Sequence, residues 1–114
     1  MIARELLKGS LRSIVLKLLA EQGRMYGYEI TQRVEELTAG KIKLTYGALY
    51  PILHKLELDG AVITETENYN NRTRIYYQLT PKGSSFADEK IQELEEFIEV
   101  INMLIKPKLQ TKYV

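Results

Sequence analysis

Several residue types are absent or rare in this chain of 114 residues, and each absence excludes a class of function. There are no cysteines, which excludes disulfides and thiolate metal sites and makes a reducing cytoplasm the expected location. The single histidine, His54, leaves no Ser-His-acid constellation or His-rich metal site, and no glycine-rich phosphate loop or paired acids stand out. No apolar run approaches the roughly 18 residues that a membrane span needs. We therefore expect a soluble protein that is not an enzyme, requires no metal or cofactor and has no membrane partner.

Size and charge describe a small domain with a slightly uneven charge distribution. The chain is 45% hydrophobic, which suffices for one core with little to spare. Its formal net charge is only +1. Residues 1–82 hold 12 Lys/Arg against 9 Asp/Glu, a net of +3, whereas residues 83–114 hold 4 against 6, a net of −2. This asymmetry is mild and does not by itself indicate a nucleic-acid partner.

The periodicity of apolar residues predicts three helices in the first half of the chain. The first is expected from about Arg4 to Glu21, with apolar residues at alternating spacings of four and three. The second is expected from Tyr26 to Leu37. The third should begin after Thr45, a good N-cap residue, and reach Leu58, where Asp59-Gly60 closes it.

The period then changes to the alternation typical of strands. Residues Ala61 to Glu67 and Arg74 to Thr80 are rich in β-forming residues. Between them lies a polar loop of turn-forming residues, Asn68 to Thr73. The sequence therefore predicts one β-hairpin with a polar, slightly basic tip.

The last predicted element is a long helix with a heptad pattern. Thr80 is a candidate N-cap followed by Pro81 at the first helical position, and the helix should run to about Ile105. Its apolar seam has spacings of four, three, four, three and four, at Ala87, Ile91, Leu94, Ile98, Ile101 and Ile105. This seam can pack back on its own domain or on a second subunit.

Three helices, a hairpin and a long helix in this order predict a mainly α fold with a small β-hairpin, a winged helix-turn-helix plus a long C-terminal dimerisation helix. We divide the chain into a winged-helix DNA-binding domain over residues 1–82, a dimerisation helix over 83–106 and a flexible tail over 107–114. The third helix is then the one that enters a DNA groove.

Three motifs resemble those of the PadR family of transcriptional regulators. They are "YGYEI" (Tyr26 to Ile30), "YGALYPILHKLELDGAVI" (Tyr46 to Ile63) and "RIYYQLTPKG" (Arg74 to Gly83), in this order and at fitting distances. The single final helix is similar to the short-tailed branch of the family. The resemblance implies a homodimeric repressor whose first and last helices form the dimer. Tyr46 stands where relatives often have Pro or Ser, and the absence of tryptophan removes the residue with which some relatives stack planar ligands.

The candidate DNA-binding residues lie on the third helix, on the hairpin and at the start of the second helix. At about 100° per residue, the helix face opposite its apolar residues carries polar and small side chains. The full candidate set is Tyr26, Thr45, Tyr46, Gly47, Tyr50, His54, Lys55, Arg72 and Arg74. Gly47 either allows DNA to approach the backbone or relieves crowding by the ring of Pro51, and the sequence leaves both roles open.

The expected partners are double-stranded DNA with a near-palindromic operator and a second copy of the chain. We expect the dimer interface to join Leu94, Ile98, Ile101 and Ile105 of one subunit to Leu7 and Leu11 of the other. A small-molecule effector could bind at that interface near Phe97 and Met103. The alternative is a winged-helix protein-interaction module without specific DNA binding, which the near-neutral net charge favours.

Overall fold

The computed structural model describes residues 2–106 as five helices and a small antiparallel sheet. The predicted mainly α class with a hairpin and a long last helix is confirmed. The elements, in chain order, are α1 (Arg4–Lys8), α2 (Leu11–Gln22), β1 (Met25–Tyr26), α3 (Gly27–Leu37), α4 (Tyr46–Leu58), β2 (Val62–Tyr69), β3 (Arg72–Leu79) and α5 (Pro81–Ile105). The predicted tail, residues 107–114, lies outside the described residues.

The core lies between α2, α3 and α4. The largest fully buried side chains come from these three helices: Leu16, Ile30, Leu49, Leu53 and Leu56. The base of the sheet closes one side of the core with Met25, Val62 and Tyr77, and α5 adds Ala87. Complete burial of each leucine or isoleucine contributes about 1.5–3 kcal/mol, so the three-helix arrangement is well anchored.

The prediction of one continuous helix from Arg4 to Glu21 is wrong, because the chain breaks between α1 and α2. Both the backbone N–H and the hydroxyl of Ser10 donate to the carbonyl of Leu7, at 2.8 and 3.0 Å, which closes a turn in place of helical bonds. The break turns Leu11 into the core of its own chain, whereas Leu6 on α1 stays 77% exposed. Such a side chain to backbone bond is a usual way for serine to interrupt a helix.

The sheet has three strands in the order β1-β3-β2 and not the two that were predicted. Strand β1 is only two residues long and pairs Met25 with Tyr77 and Tyr26 with Tyr76. The predicted six-residue loop of the hairpin is also wrong, since only Asn70 and Asn71 connect Tyr69 to Arg72. Both asparagines have left-handed backbones, with φ of 48° and 63°, as a two-residue type I′ turn requires.

Helix α5 begins at the predicted residue, and its second half extends beyond the core. The Thr80 hydroxyl accepts the Gly83 N–H at 3.0 Å and lies 2.7 Å from the Gly60 carbonyl oxygen. A Cβ at Gly83 would lie only 1.9 Å from the Ala61 carbonyl oxygen, so glycine allows α5 to touch the start of β2. The first half of α5 packs on α2, and the segment from Phe97 to Ile105 projects beyond the core with most of its apolar side chains exposed.

Candidate nucleic-acid interface

Helix α4 presents the predicted polar face to solvent. The Thr45 hydroxyl accepts the Ala48 N–H at 3.2 Å, which confirms Thr45 as the N-cap. Tyr46, Gly47 and Tyr50 are exposed, as are His54 and Lys55 further along the helix, while Leu49, Leu53 and Leu56 enter the core. The first N–H groups of a helix have no intrahelical acceptor, so this end of α4 attracts anions.

The start of α3 lies directly against α4. A Cβ at Gly27 would lie 2.5 Å from the Tyr50 hydroxyl, so Gly27 makes the room that the Tyr50 ring occupies. Tyr46 and Tyr50, one turn apart, have ring centroids 5.6 Å from each other. The Tyr26 N–H donates to the Glu29 carboxylate at 3.1 Å and so satisfies one free donor at the start of α3. The rings of Tyr26, Tyr46 and Tyr50 therefore lie close together where α3 and α4 begin.

A cleft of about 430 Å³ separates the starts of α3 and α4 from the wing, the hairpin of β2 and β3. Its lining is Tyr26, Gly27, Tyr28, Tyr46, Tyr50, Arg72, Thr73, Arg74 and Ile75. The structure thus brings together five predicted residues from three elements: Tyr26, Tyr46, Tyr50, Arg72 and Arg74. Phenol hydroxyls and guanidinium groups are donors suited to phosphate oxygens, and aromatic faces suit sugars and bases.

The two wing arginines differ in their surroundings. Arg72 is exposed beside the hairpin turn. Arg74 is half-buried, with its guanidinium 4.3 Å from the Tyr26 ring centroid and 4.2 Å from that of Tyr69. It also donates to the Tyr76 hydroxyl at 3.4 Å, a hydrogen bond that raises the pKa of Arg74. Arg74 is therefore held by three tyrosines, and Arg72 is the more accessible cation.

The other predicted residues lie outside the cleft. Thr45 and Gly47 lie beside the cleft, at the solvent-exposed start of α4. His54 and Lys55 are about two turns beyond Gly47 along the helix. Lys55 forms an ion pair with Asp59 at 3.3 Å. Within residues 2–106, no three His, Asp or Glu side chains are grouped as a metal site.

A cluster on the wing was missed by sequence reasoning. Arg24, in the turn before β1, donates to Glu65 at 2.5 Å and to Glu67 at 2.7 Å, and its guanidinium lies 4.0 Å from the Tyr76 ring centroid. The hydrogen bond to Glu67 raises the pKa of Arg24. No local pattern could have revealed these contacts, because Arg24 is more than 40 positions from both glutamates. Tyr28, which also lines the cleft and is 52% exposed, was not among the predicted DNA-binding residues.

The residues predicted for a dimer interface fall into two groups. Leu7 and Leu11 lie against or within the core of their own chain, so Leu11 offers little surface to a partner. Leu94 and Ile101 are half-buried, whereas Ile98 and Ile105 are exposed. Leu94 and Ile98 border a mainly apolar groove of about 380 Å³ between α2, α3 and α5.

Among the described helices, none has the length and apolar character that crossing a membrane requires.

The three-helix core, the exposed face of α4 and the wing define a winged-helix DNA-binding fold. The sequence matches the profile of the Transcriptional regulator PadR-like family over residues 15–89, so the chain belongs to this family. Family and relatives are transcriptional regulators and not enzymes.

Three relatives illustrate the similarity. Transcriptional regulator Rv3488 of Mycobacterium tuberculosis is 33% identical over 93 residues, which cover 82% of this chain and 83% of that protein. A transcriptional regulator from Clostridium thermocellum is 28% identical and superposes with a TM-score of 0.81 over 92% of this chain and 99% of the other. A PadR-like transcription factor from Bacteroides fragilis is 30% identical, with a TM-score of 0.70 over 88% of this chain and 94% of the other.

Proposed function

We propose that the protein is a homodimeric repressor that binds a near-palindromic operator and is released from it by a small-molecule effector. The observation that carries the proposal is the cleft between α4 and the wing. It combines a helix N-terminus, four tyrosines and two arginines on one face of the molecule. This combination offers both phosphate contacts and a helix that fits a major groove.

In this proposal the parts of the interface have separate tasks. Tyr46 and Gly47 at the start of α4 approach base edges, since the first residues of a recognition helix reach deepest into the groove. Tyr26 and Tyr50 donate to the flanking phosphates. Arg72 extends from the wing tip to the neighbouring backbone or minor groove, and Lys55 with His54 adds weaker contacts along α4.

The two-fold symmetry of the proposed dimer is the reason for proposing a near-palindromic operator. Two copies related by a two-fold axis would place their α4 helices in successive major grooves, about 34 Å apart. Such a dimer would repress by covering a promoter. An apolar effector lodged between the subunits, near Phe97 and Met103, would change the separation of the two helices and lower the affinity for DNA.

Fluorescence anisotropy with the protein's own upstream promoter DNA tests this function. We expect tight binding that falls steeply with salt and exceeds binding to a scrambled duplex of the same length by at least about 1000-fold. Arg72→Ala should weaken binding to both duplexes and reduce the salt slope by about 0.9 per subunit, as expected for one lost phosphate contact. Lys17→Ala is the matched control, because Lys17 is an exposed cation of α2 paired with Glu21.

Two results would contradict the proposal. Equal, weak binding to the promoter and the scrambled duplex would exclude specific recognition by the effector-free protein and favour the protein-interaction module. An equal loss of affinity in Arg72→Ala and Lys17→Ala would show that net charge, and not the wing, determines binding.

A further inference from the structure

The outer face of the wing carries a cluster that the proposed DNA contacts do not use. We call Arg24, Glu65, Glu67 and Tyr76 the wing latch. Arg24 lies in the turn between α2 and β1, Glu65 and Glu67 lie on β2, and Tyr76 lies on β3. The four side chains therefore connect the body of the domain to both strands of the wing.

The geometry of the latch depends on the fork of the arginine side chain. One terminal nitrogen of Arg24 donates to Glu65 and the other to Glu67, at 2.5 and 2.7 Å. The guanidinium plane lies over the Tyr76 ring, 4.0 Å from its centroid. Glu65 is directly opposite Tyr76 in the strand register, so the three groups share one face. A lysine could not make both bonds and the stacking contact at once.

The latch continues into the cleft through the second wing arginine. Arg74 is opposite Glu67 in the register and donates to the Tyr76 hydroxyl. The same guanidinium lies between the rings of Tyr26 and Tyr69. Tyr76 is thus shared by the latch and by the residues at the edge of the cleft.

The wing has few other attachments to the domain. Its buried residues are confined to the base, at Val62 and Tyr77, and the part nearer the turn has none. Strand β1 adds only two residue pairs to β3, and the Thr64 hydroxyl makes a single bond of 3.4 Å to Glu57 on α4. A two-stranded hairpin is only marginally stable by itself, so side-chain contacts decide how it is held.

We propose that Arg24 is a positioning residue for DNA binding: through Glu65, Glu67 and Tyr76 it fixes the wing at the angle from which Arg72 reaches the DNA. The inference rests on the proposed function of the wing. Arg24 does not contact DNA itself in this arrangement, because both of its terminal nitrogens are occupied by carboxylates.

A double-mutant cycle on operator affinity tests the inference. Arg24→Gln in the otherwise unchanged protein should weaken binding about fivefold, a loss that a networked ion pair with a cation–π contact can produce. In the Arg72→Ala background the same change should cost less than about twofold, because the contact that Arg24 positions is already gone. The same loss in both backgrounds, or no loss in the otherwise unchanged protein, would overturn the proposal.

Hydrogen–deuterium exchange separates positioning from general destabilisation and needs no DNA. In Arg24→Gln the amides of residues 65–69 and 72–76 should exchange at least about threefold faster, whereas those of α2 and α3 should keep their rates. Lys17→Gln, which also removes one cation and one ion pair, should leave the wing amides unchanged. Unchanged wing exchange in Arg24→Gln would refute the latch even if the promoter is bound. If the unaltered protein does not bind the promoter specifically but Arg24→Gln still speeds up exchange in the wing, the proposed function would be refuted and the latch would stand.

Discussion

Gly47 is an exposed residue of α4, and no side chain or other element of the fold fills the space that a Cβ would occupy there. A Cβ built there would meet no atom nearer than the Thr45 hydroxyl oxygen, at 3.9 Å. Alanine also favours helices over glycine by up to about 1 kcal/mol. The glycine therefore lowers the stability of α4 slightly, and close approach of DNA to the backbone is the role that its exposed position supports.

Gly47→Ala should separate the two roles that the sequence leaves open for this residue. We expect the free energy of unfolding to stay the same or rise by up to about 1 kcal/mol, measured by urea denaturation. Operator affinity, measured by anisotropy, should fall at least fivefold because the methyl group meets the DNA (about 1 kcal/mol). The control is Gly9→Ala, also in open space and with an ordinary backbone conformation. If Gly47→Ala lowers stability and leaves affinity unchanged, crowding by Pro51 explains the glycine.

At the scale of single residues, the sequence predicted which side chains are exposed better than it predicted what they touch. The period of α4 correctly separated Tyr46, Tyr50 and Lys55 from the buried leucines, because helix geometry alone decides this. The difference between Arg72 and Arg74 could not be predicted. It depends on tyrosines that the fold brings from distant positions, and no local pattern encodes that arrangement.

Among the elements, the wing shows where short-range signals are weakest. The alternation of the strands predicted a hairpin. The asparagines within residues 68–73 favour turns, however, so Asn68, Tyr69, Arg72 and Thr73 were assigned to the loop. Pairing with the opposite strand overrides that propensity and shortens the turn to two residues. Strand β1 is too short to have a period of its own, and the break between α1 and α2 depends on one serine in an otherwise regular pattern. Thr45 and Thr80 were predicted correctly because N-capping is local chemistry.

The turn of the wing gives a prediction at this scale. Asn71 has φ of 63°, which glycine adopts without strain and β-branched residues adopt poorly. We expect Asn71→Val to lower the free energy of unfolding by about 1–2 kcal/mol and Asn71→Gly to leave it unchanged or raise it by a few tenths. Urea denaturation followed by circular dichroism measures both. Identical midpoints for the two variants would show that the turn conformation does not affect stability.

The whole molecule is elongated because α5 extends beyond the domain on which it begins. The described residues span 66 Å in their longest direction and 20 Å in their shortest. The end of α5 exposes large apolar side chains, among them Phe97, Ile98, Met103 and Leu104, which a monomer would leave in water. Their burial against a second copy is the basis of the proposed dimer.

Single charges on this face should therefore separate the proposed dimer. Ile98→Glu and Leu104→Glu are expected to elute as monomers and to have a mass near 13 kDa by light scattering, because a buried unpaired carboxylate costs several kcal/mol. Operator affinity should fall as well, since one α4 helix reads only half of a two-fold site. Glu96→Gln, an exposed change on the same helix, should leave the dimer intact. A dimeric Ile98→Glu variant would place the interface elsewhere.

The distribution of tyrosines gives the molecule a built-in optical reporter. Tyrosine is its dominant fluorophore because the chain has no tryptophan. Six of its eight tyrosines, Tyr26, Tyr28, Tyr46, Tyr50, Tyr69 and Tyr76, surround the cleft and the wing. Intrinsic emission therefore comes largely from the surface proposed to bind DNA, and changes at this surface can be followed in the unlabelled protein.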